Sequence, residues 1–252
     1  MVAQTKGGDP NNVLHLGAHS DSVEAGPGIN DNGSGTIGIL EVALQLTAFT
    51  VTNAVRFSWW AAEEEGLLGA EAYVAALSPE ENAKIRLYLN FDMIASPNFV
   101  YGIYDGDGSA FGISGAPGSA QAEKLFQDFY TNEDDIPWQA SEFNGRSDYG
   151  PFLDVGIPCG GLDTGADDIK TPEQVAIWGG TAGIQMDPNY HSAKDDVKNL
   201  NIGVLLHNSK AIAHAVATYA TSWAGFPARL PVASFRRAKD TGKFVKNKKI
   251  TI

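Results

Sequence analysis

The sequence predicts an α/β protein built on an open sheet. Short apolar runs rich in β-branched and aromatic residues, which are typical of buried strands, occupy residues 13–18, 55–61 and 87–91. Segments with apolar residues at helical spacing lie between and after them. Each run leads into polar side chains, and the carboxyl ends of strands in open α/β sheets share one crevice. The sequence therefore predicts a single site at this edge of the sheet.

The predicted elements follow this order along the chain. A strand begins at Met1 without a lead-in, so we expect the sequence to be a fragment of a longer protein. After the strand at 13–18, a helix follows over 34–46, with Asn32 or Ser34 as its N-cap. The residues assigned to its apolar face are Ile37, Leu40 and Leu44.

Three further helices are predicted over 70–77, 120–130 and 202–223. The last carries an apolar stripe that we assign to the core, with the members Leu205, Ile212, Val216 and Trp223. The same helix holds His207 and His214, for which we expect structural roles and not metal ligation.

Composition indicates one domain. At 252 residues and 43% hydrophobic content the chain can build a sizeable core, and no apolar run is long enough to span a bilayer. The single cysteine, Cys159, is assigned to that core. Long loops over 95–119 and 132–185 are rich in Gly, Asp, Ser and Pro, and loops of this length are usually functional. We expect a catalytic domain over 1–225 and a basic extension over 226–252.

The formal net charge of −12 is distributed unevenly. Residues 229–252 hold eight of the 18 basic side chains and one of the 30 acidic ones, so the rest of the chain is strongly acidic. An acidic surface repels phosphates, so we expect neither nucleic acid nor a membrane as a partner. The basic tail is interpreted as a solvated extension lying on the acidic body.

Several side chains have the chemistry of zinc ligands. His19 and Asp21 form a His-x-Asp pair, in which an imidazole binds the metal while a carboxylate orients it. Asp31 follows in a glycine-rich turn, where an Asx turn is the ordinary explanation for an isolated aspartate. Asp92 ends a predicted strand, and His191 lies in a late loop. These donors suit two zinc ions that share a bridging carboxylate.

The adjacent pair Glu63 and Glu64 is the most specific part of this pattern. Neighbouring carboxylates at the end of an apolar strand repel each other. Either a bound cation or different roles for the two residues would account for their presence. In such a pair one glutamate binds metal while the other acts as a general base. Glu65 is interpreted as a solvated residue. Together the candidates indicate a two-zinc hydrolase.

The motifs resemble those of the secreted two-zinc aminopeptidases, in particular the bacterial leucine aminopeptidases and the fungal aminopeptidase Y-like enzymes. The resemblance covers about residues 12–220. The matching segments are HSDSV at 19–23, GINDNGSG at 28–35, WWAAEE at 59–64, LNFDM at 89–93, GRSD at 145–148, GGL at 160–162, WGGTAG at 178–183 and YHS at 190–192. It implies the zinc exopeptidase fold, a three-layer αβα arrangement with a central mixed, mainly parallel sheet. It also implies a secreted or vacuolar protein.

The resemblance implies a zinc ligand at each matching position. Asp31 would bridge two zinc ions. His19 and Asp92 would complete the first site. Glu64 and His191 would complete the second.

The same resemblance implies catalytic and substrate-binding roles. Glu63 would be the general base for the attacking water, and Tyr190 would donate a hydrogen bond to the oxyanion. The carboxylates of Glu63 and Asp92, with the backbone around Arg146, would bind the free ammonium group of a peptide substrate. Met93 is also assigned to the substrate-binding wall.

The chain departs from the family pattern at three places. Bacterial relatives flank the Tyr-His pair with cysteines, whereas this chain has Asn189 and Lys194, so that loop lacks its disulfide. Asp163 stands where many relatives carry Phe. It would line the pocket for the first substrate side chain and favour Lys or Arg there, or else cap the following turn. The family's lead-in strands, and the protease-associated domain of fungal members, are expected to be missing from this sequence.

Three other classes stay open at this point. A zinc carboxypeptidase or deacylase of the aminoacylase type also uses His-x-Asp and paired glutamates, but it needs room for a lid domain. A glutaminyl cyclase on the same fold would bind one zinc ion. A non-catalytic binding module would have lost some of the ligands, which this chain retains.

Overall fold

The computed structural model describes residues 1–132 and 135–229. Apart from its first four residues, the expected extension over 226–252 therefore lies outside the described residues. No helix within the described part of the chain is long and apolar enough to cross a membrane.

Seven strands and seven helices make up the described structure, together with two short helical turns. The strands are β1 (Val2–Gln4), β2 (Asp9–His19), β3 (Asn53–Trp60), β4 (Ile85–Phe91), β5 (Gly102–Tyr104), β6 (Gln139–Ser141) and β7 (Cys159–Asp163). The helices are α1 (Gly35–Leu46), α2 (Leu68–Ala76), α3 (Pro79–Lys84), α4 (Ser119–Asn132), α5 (Tyr149–Asp154), α6 (Pro172–Trp178) and α7 (Ile202–Thr221). The turns are a π-helical turn at Ile29–Ser34 and a 3-10 turn at Val197–Asn199.

The strands form one sheet in the order β1-β3-β2-β4-β7-β5-β6. The four central strands β3, β2, β4 and β7 are parallel, so their carboxyl ends lie at the same edge. β1 is antiparallel to β3, and β5 is antiparallel to β7. The sheet is therefore mixed and mainly parallel, as the resemblance implied.

Alternating side chains of the central strands bury two cores on opposite faces of the sheet. Leu14, Phe57 and Leu89 belong to the larger core, which also contains residues of α1, α4 and α7. Trp60 and Tyr88 belong to the smaller core, with residues of α2 and α5. Helices thus cover both faces, which gives the predicted three layers.

The predicted strands and longer helices are confirmed. On the predicted apolar face of α1, Leu40 packs against the larger core, but the assignment of Ile37 and Leu44 is wrong. Ile37 and Leu44 are 50% and 57% exposed, whereas Ile39 and Val42 are buried. The physical reason is a close approach at Gly38, where an added Cβ would lie 2.9 Å from Cδ1 of Ile94. The helix therefore packs through Gly38, which has no side chain. The spacing of the apolar residues does not predict this contact.

Other expectations about the core are confirmed. Cys159 is fully buried, and the α7 residues Ile212 and Val216 lie in the larger core. His207 and His214 pack edge-on or tilted against aromatic rings and belong to none of the metal-binding clusters among the described residues.

Candidate metal centre

The candidate ligands lie at the carboxyl edge of the sheet. His19 ends β2, Asp92 directly follows β4, and Glu63 and Glu64 follow β3 after two intervening residues. Asp31 lies in the π-helical turn that precedes α1. Three parallel neighbouring strands therefore deliver side chains to one place, as expected for an open α/β sheet.

Asp31 lies between two groups of ligand atoms. Its Oδ1 is 3.1 Å from Nε2 of His19, and its Oδ2 is 3.1 Å from Nε2 of His191. His19 Nε2 is also 3.2 Å from Asp92 Oδ1. His191 Nε2 is 3.0 Å from Glu64 Oε2. All five sequence-predicted ligands are thus brought together in two groups that share Asp31.

These two groups fit a pair of zinc ions. Each group offers one imidazole nitrogen and two carboxylate oxygens, a donor set that zinc accepts. The ligand atoms of each group lie within 4.8 Å of one another. In addition, Oε1 of Glu64 is buried and accepts no hydrogen bond, which leaves a charged oxygen free to bind a cation.

Asp21 contacts His19 and the backbone of the two glutamates. Its carboxylate lies 3.6 Å from Nδ1 of His19 and accepts hydrogen bonds from the backbone N–H groups of Glu63, at 3.1 Å, and Glu64, at 3.3 Å. One side chain therefore orients the imidazole of His19 and fixes the backbone of both glutamates.

Asp195 was missed by the sequence reasoning. Its two carboxylate oxygens accept the backbone N–H groups of Asn30 and Asp31, at 2.9 and 3.0 Å. Asn199 donates to the same carboxylate at 2.9 Å. This network holds the turn that presents Asp31, and the only available signal was its position four residues after His191.

A chain of hydrogen bonds connects Asp92 to the smaller core. The Trp60 indole N–H donates to the Tyr88 hydroxyl at 2.9 Å, which donates to Asn90 Oδ1 at 3.0 Å. The Asn90 amide donates to the Ser147 hydroxyl at 2.8 Å, which donates to Asp92 Oδ2 at 2.6 Å. Oδ2 of Asp92 is thus occupied, and its Oδ1 faces His19.

The electrostatics of the centre follow from burial and from these contacts. Burial raises the pKa of Glu63 to about 9, and the charge of Asp92 adds to this effect. Burial also raises the pKa of Asp148 to about 8, and neither of its carboxylate oxygens has a hydrogen-bond partner. Hydrogen bonds to Asp31 and Glu64 raise the pKa of His191 to about 10. In the metal-free protein, bound protons therefore balance the negative charge that metal ions would otherwise balance.

A cavity of about 340 Å³ opens in front of the centre. All of the predicted catalytic and substrate-binding residues line it. They are Glu63, Met93, Arg146, Asp163 and Tyr190. The Tyr190 ring stacks on His191 with 3.7 Å between centroids, and the Arg146 guanidinium pairs with Asp167 at 2.9 Å.

We expect the metal-free protein to lose stability between pH 6.5 and about pH 10. His191, Glu63 and Asp148 all have raised pKa values in the folded state, so the folded chain holds more protons than the unfolded one in this window. Stability therefore falls as these protons are lost. The Tm of chelator-treated protein should drop by roughly 5–10 °C from the lower to the upper end. Zinc-loaded protein is the control, and a metal-free Tm that stays constant or rises with pH would contradict the expectation.

Comparison with known proteins identifies the family of the chain. The profile of peptidase family M28 matches residues 1–216. Probable leucine aminopeptidase 2 of Arthroderma benhamiae is 58% identical over 229 residues, which cover 91% of this chain and 46% of the relative. The protein of the same name from Aspergillus fumigatus is 61% identical over the same length. The chain thus spans about half the length of the curated relatives it matches.

Two solved structures share the fold. An aminopeptidase from Aneurinibacillus sp. strain AM-1 superposes with a TM-score of 0.69 at 24% identity, over 91% of this chain and 49% of the other. BSAP, a zinc aminopeptidase from Bacillus subtilis, gives a TM-score of 0.70 at 24% identity, over 90% and 51%. The fold class predicted from the sequence is confirmed.

Proposed function

Since the chain belongs to peptidase family M28, we propose that its metal centre is the active site of a zinc-dependent aminopeptidase. The carboxylate of Asp31 carries this proposal, because it faces His19 and His191 with one oxygen each at 3.1 Å. A carboxylate shared in this way suits two cations. The names of the relatives support peptide N-termini as the substrate class.

His19, Asp31 and Asp92 would hold one zinc ion, and Asp31, Glu64 and His191 the other. Zinc ions held by these residues would supply the Lewis acidity needed to activate water and to polarise the scissile carbonyl. Asp21 keeps the His19 imidazole oriented, and Asp195 holds the turn that presents Asp31.

Glu63 acts as the general base. Its carboxylate lines the cavity beside the two groups of ligands, and it belongs to neither of them. It takes a proton from the attacking water and later delivers that proton to the nitrogen of the leaving amine. A carboxylate beside the ligands, but bound to none of them, is free to carry this proton.

Tyr190 donates its phenolic hydrogen to the oxygen on which negative charge develops. Burial raises the pKa of this phenol above its ordinary value, so the group stays protonated as a donor. Stacking on His191 fixes the ring within the cavity.

The free ammonium of the substrate binds among carboxylates. Glu63, Asp92 and Arg146 line the cavity, and Met93 supplies part of its wall. An ammonium placed there sets the distance from the N-terminus to the scissile carbonyl. The enzyme would therefore remove single residues from the N-terminus.

We expect cleavage to require a free N-terminal amine. Acetylation removes the positive charge that the cavity carboxylates bind, so an N-acetylated peptide should be cleaved at least roughly 100-fold more slowly than the same peptide with a free amine. The measurement is the release of the first residue in zinc-loaded protein. Equal cleavage of both peptides would contradict the aminopeptidase proposal and favour the deacylase or carboxypeptidase alternative.

A preference for basic first residues is a second expectation. Oδ1 of Asp163 accepts the Gly165 N–H at 3.0 Å and so caps the following turn, yet the side chain also lines the cavity. Replacing Asp163 with Phe should lower the Lys/Leu ratio of kcat/KM by roughly tenfold, because one charged contact is lost. Asp163→Asn is the matched control that keeps the cap, and it should lower the ratio similarly. A ratio unchanged in both variants would mean that Asp163 does not contact the substrate side chain.

The proposed partners are peptides with free N-termini, in a secreted or vacuolar setting. The acidic body, with all but one of the 30 acidic side chains in residues 1–228, disfavours nucleic acid.

A further inference from the structure

A third cluster of carboxylates shares no residue with the metal centre. Asp105 follows β5, Asp107 comes two residues later, and Glu123 lies in the first half of α4. Each offers one oxygen, and these oxygens lie within 4.8 Å of one another. Unlike the two groups around Asp31, this cluster contains no imidazole. Its donors are all oxygen, which suits a hard cation and not zinc.

Asp105 provides an independent reason to expect a cation. Its side chain is 1% exposed, and Oδ2 accepts the backbone N–H groups of Ala110, at 3.1 Å, and Phe111, at 2.8 Å. Oδ1 is also buried but accepts no hydrogen bond. Burying a charged oxygen without a hydrogen-bond partner costs free energy of folding. A bound cation removes that cost.

The charges around Asp105 are not neutralised by basic side chains. Across residues 1–132 and 135–229, none of the three carboxylates forms an ion pair. Burial raises the pKa of Glu123, and the charges of Asp107 and Asp105 raise it further, although backbone N–H groups of Asp107 and Gly106 oppose this effect. Three carboxylates at such short separation therefore repel one another.

We propose that Asp105, Asp107 and Glu123 bind a calcium ion. Calcium takes six to eight oxygen ligands in a flexible shell, whereas magnesium demands a near-ideal octahedron of short bonds. Asp107 is exposed, so water can complete the shell on its side. The ion would tie the loop after β5 to α4. That loop carries Phe111, whose side chain lines the cavity in front of the zinc ligands.

The test is calcium binding to zinc-loaded protein, followed by calorimetry and thermal unfolding. We expect one calcium ion per chain and, at about 100-fold excess over Kd, a Tm rise of roughly 5–10 °C. Asp107→Asn should weaken calcium binding at least tenfold and abolish the Tm rise. This variant is suitable because Asp107 is exposed, and an asparagine Oδ1 can still accept the Ser109 N–H.

Asp128→Asn is the matched control, since Asp128 is an exposed acidic residue on the same helix α4. It should bind calcium like the unmodified protein. The proposal is overturned if millimolar calcium gives neither binding heat nor a Tm shift, or if Asp128→Asn weakens binding as much as Asp107→Asn. An equal Tm rise with magnesium would overturn the assignment to calcium. Binding and unfolding are measured without substrate, so failure here is distinguishable from failure of the aminopeptidase proposal.

Discussion

Replacing Glu63 with glutamine is expected to lower kcat by roughly 10²–10⁴-fold, the usual contribution of general base catalysis. The amide has nearly the same shape as the carboxylate but cannot accept a proton from water. Glu63 belongs to neither ligand group, so the variant should bind as much zinc as the unmodified protein. The measurement pairs steady-state hydrolysis of an aminoacyl-anilide with elemental analysis.

Glu65→Gln is the matched control for this variant. Glu65 lies two residues further along the chain and is exposed, so the same change of charge there should leave kcat unaltered. If Glu63→Gln retains near-normal kcat, the base lies elsewhere. If it loses zinc together with activity, Glu63 is a ligand and its assigned role is wrong.

Replacing Asp31 with asparagine is expected to release both zinc ions. The amide has one acceptor oxygen where the carboxylate has two, and it carries no charge, so neither group of ligands stays complete. Loss of an outer partner of a ligand already weakens metal binding about 10–100-fold, and loss of the bridge itself should exceed this. The unmodified protein should hold two equivalents of zinc, and the variant close to none after dialysis.

The variant Asp92→Asn distinguishes the loss of a bridging ligand from the loss of a ligand to one zinc ion only. Asp92 belongs only to the group with His19, so this variant should retain the zinc ion held by Glu64 and His191. Asp31→Asn protein that retains one full equivalent would contradict a bridging role. A single equivalent in the unmodified protein would favour the one-zinc cyclase alternative.

The position of the site at the carboxyl edge of the sheet was predictable, because residues that can bind zinc follow the apolar runs that form the strands. His19, Glu64 and Asp92 each follow an apolar run, and parallel strands bring their ends together. Local sequence was sufficient for these three ligands, since each lies within four residues of the strand that positions it.

Contacts between distant segments were not predictable in this way. Asp195 holds the backbone of Asp31 across 164 positions in the sequence, and no local pattern indicates that pairing. His191 adopts a φ of 53°, an unfavourable value for a residue with a side chain, and only the surrounding tertiary structure imposes it. The exposed face of α1 has a similar origin, because the close approach at Gly38 depends on α7 and on Ile94.

The hydrogen bonds that run from Trp60 to Asp92 all point in one direction. Each group donates towards the carboxylate, so their dipoles align head to tail and strengthen one another, by about 10–30% per bond in condensed phases. A change of charge at Asp92 therefore polarises the indole at the far end of the series. Trp60 is a buried fluorophore, so we expect its emission to respond to a change of charge at the metal centre.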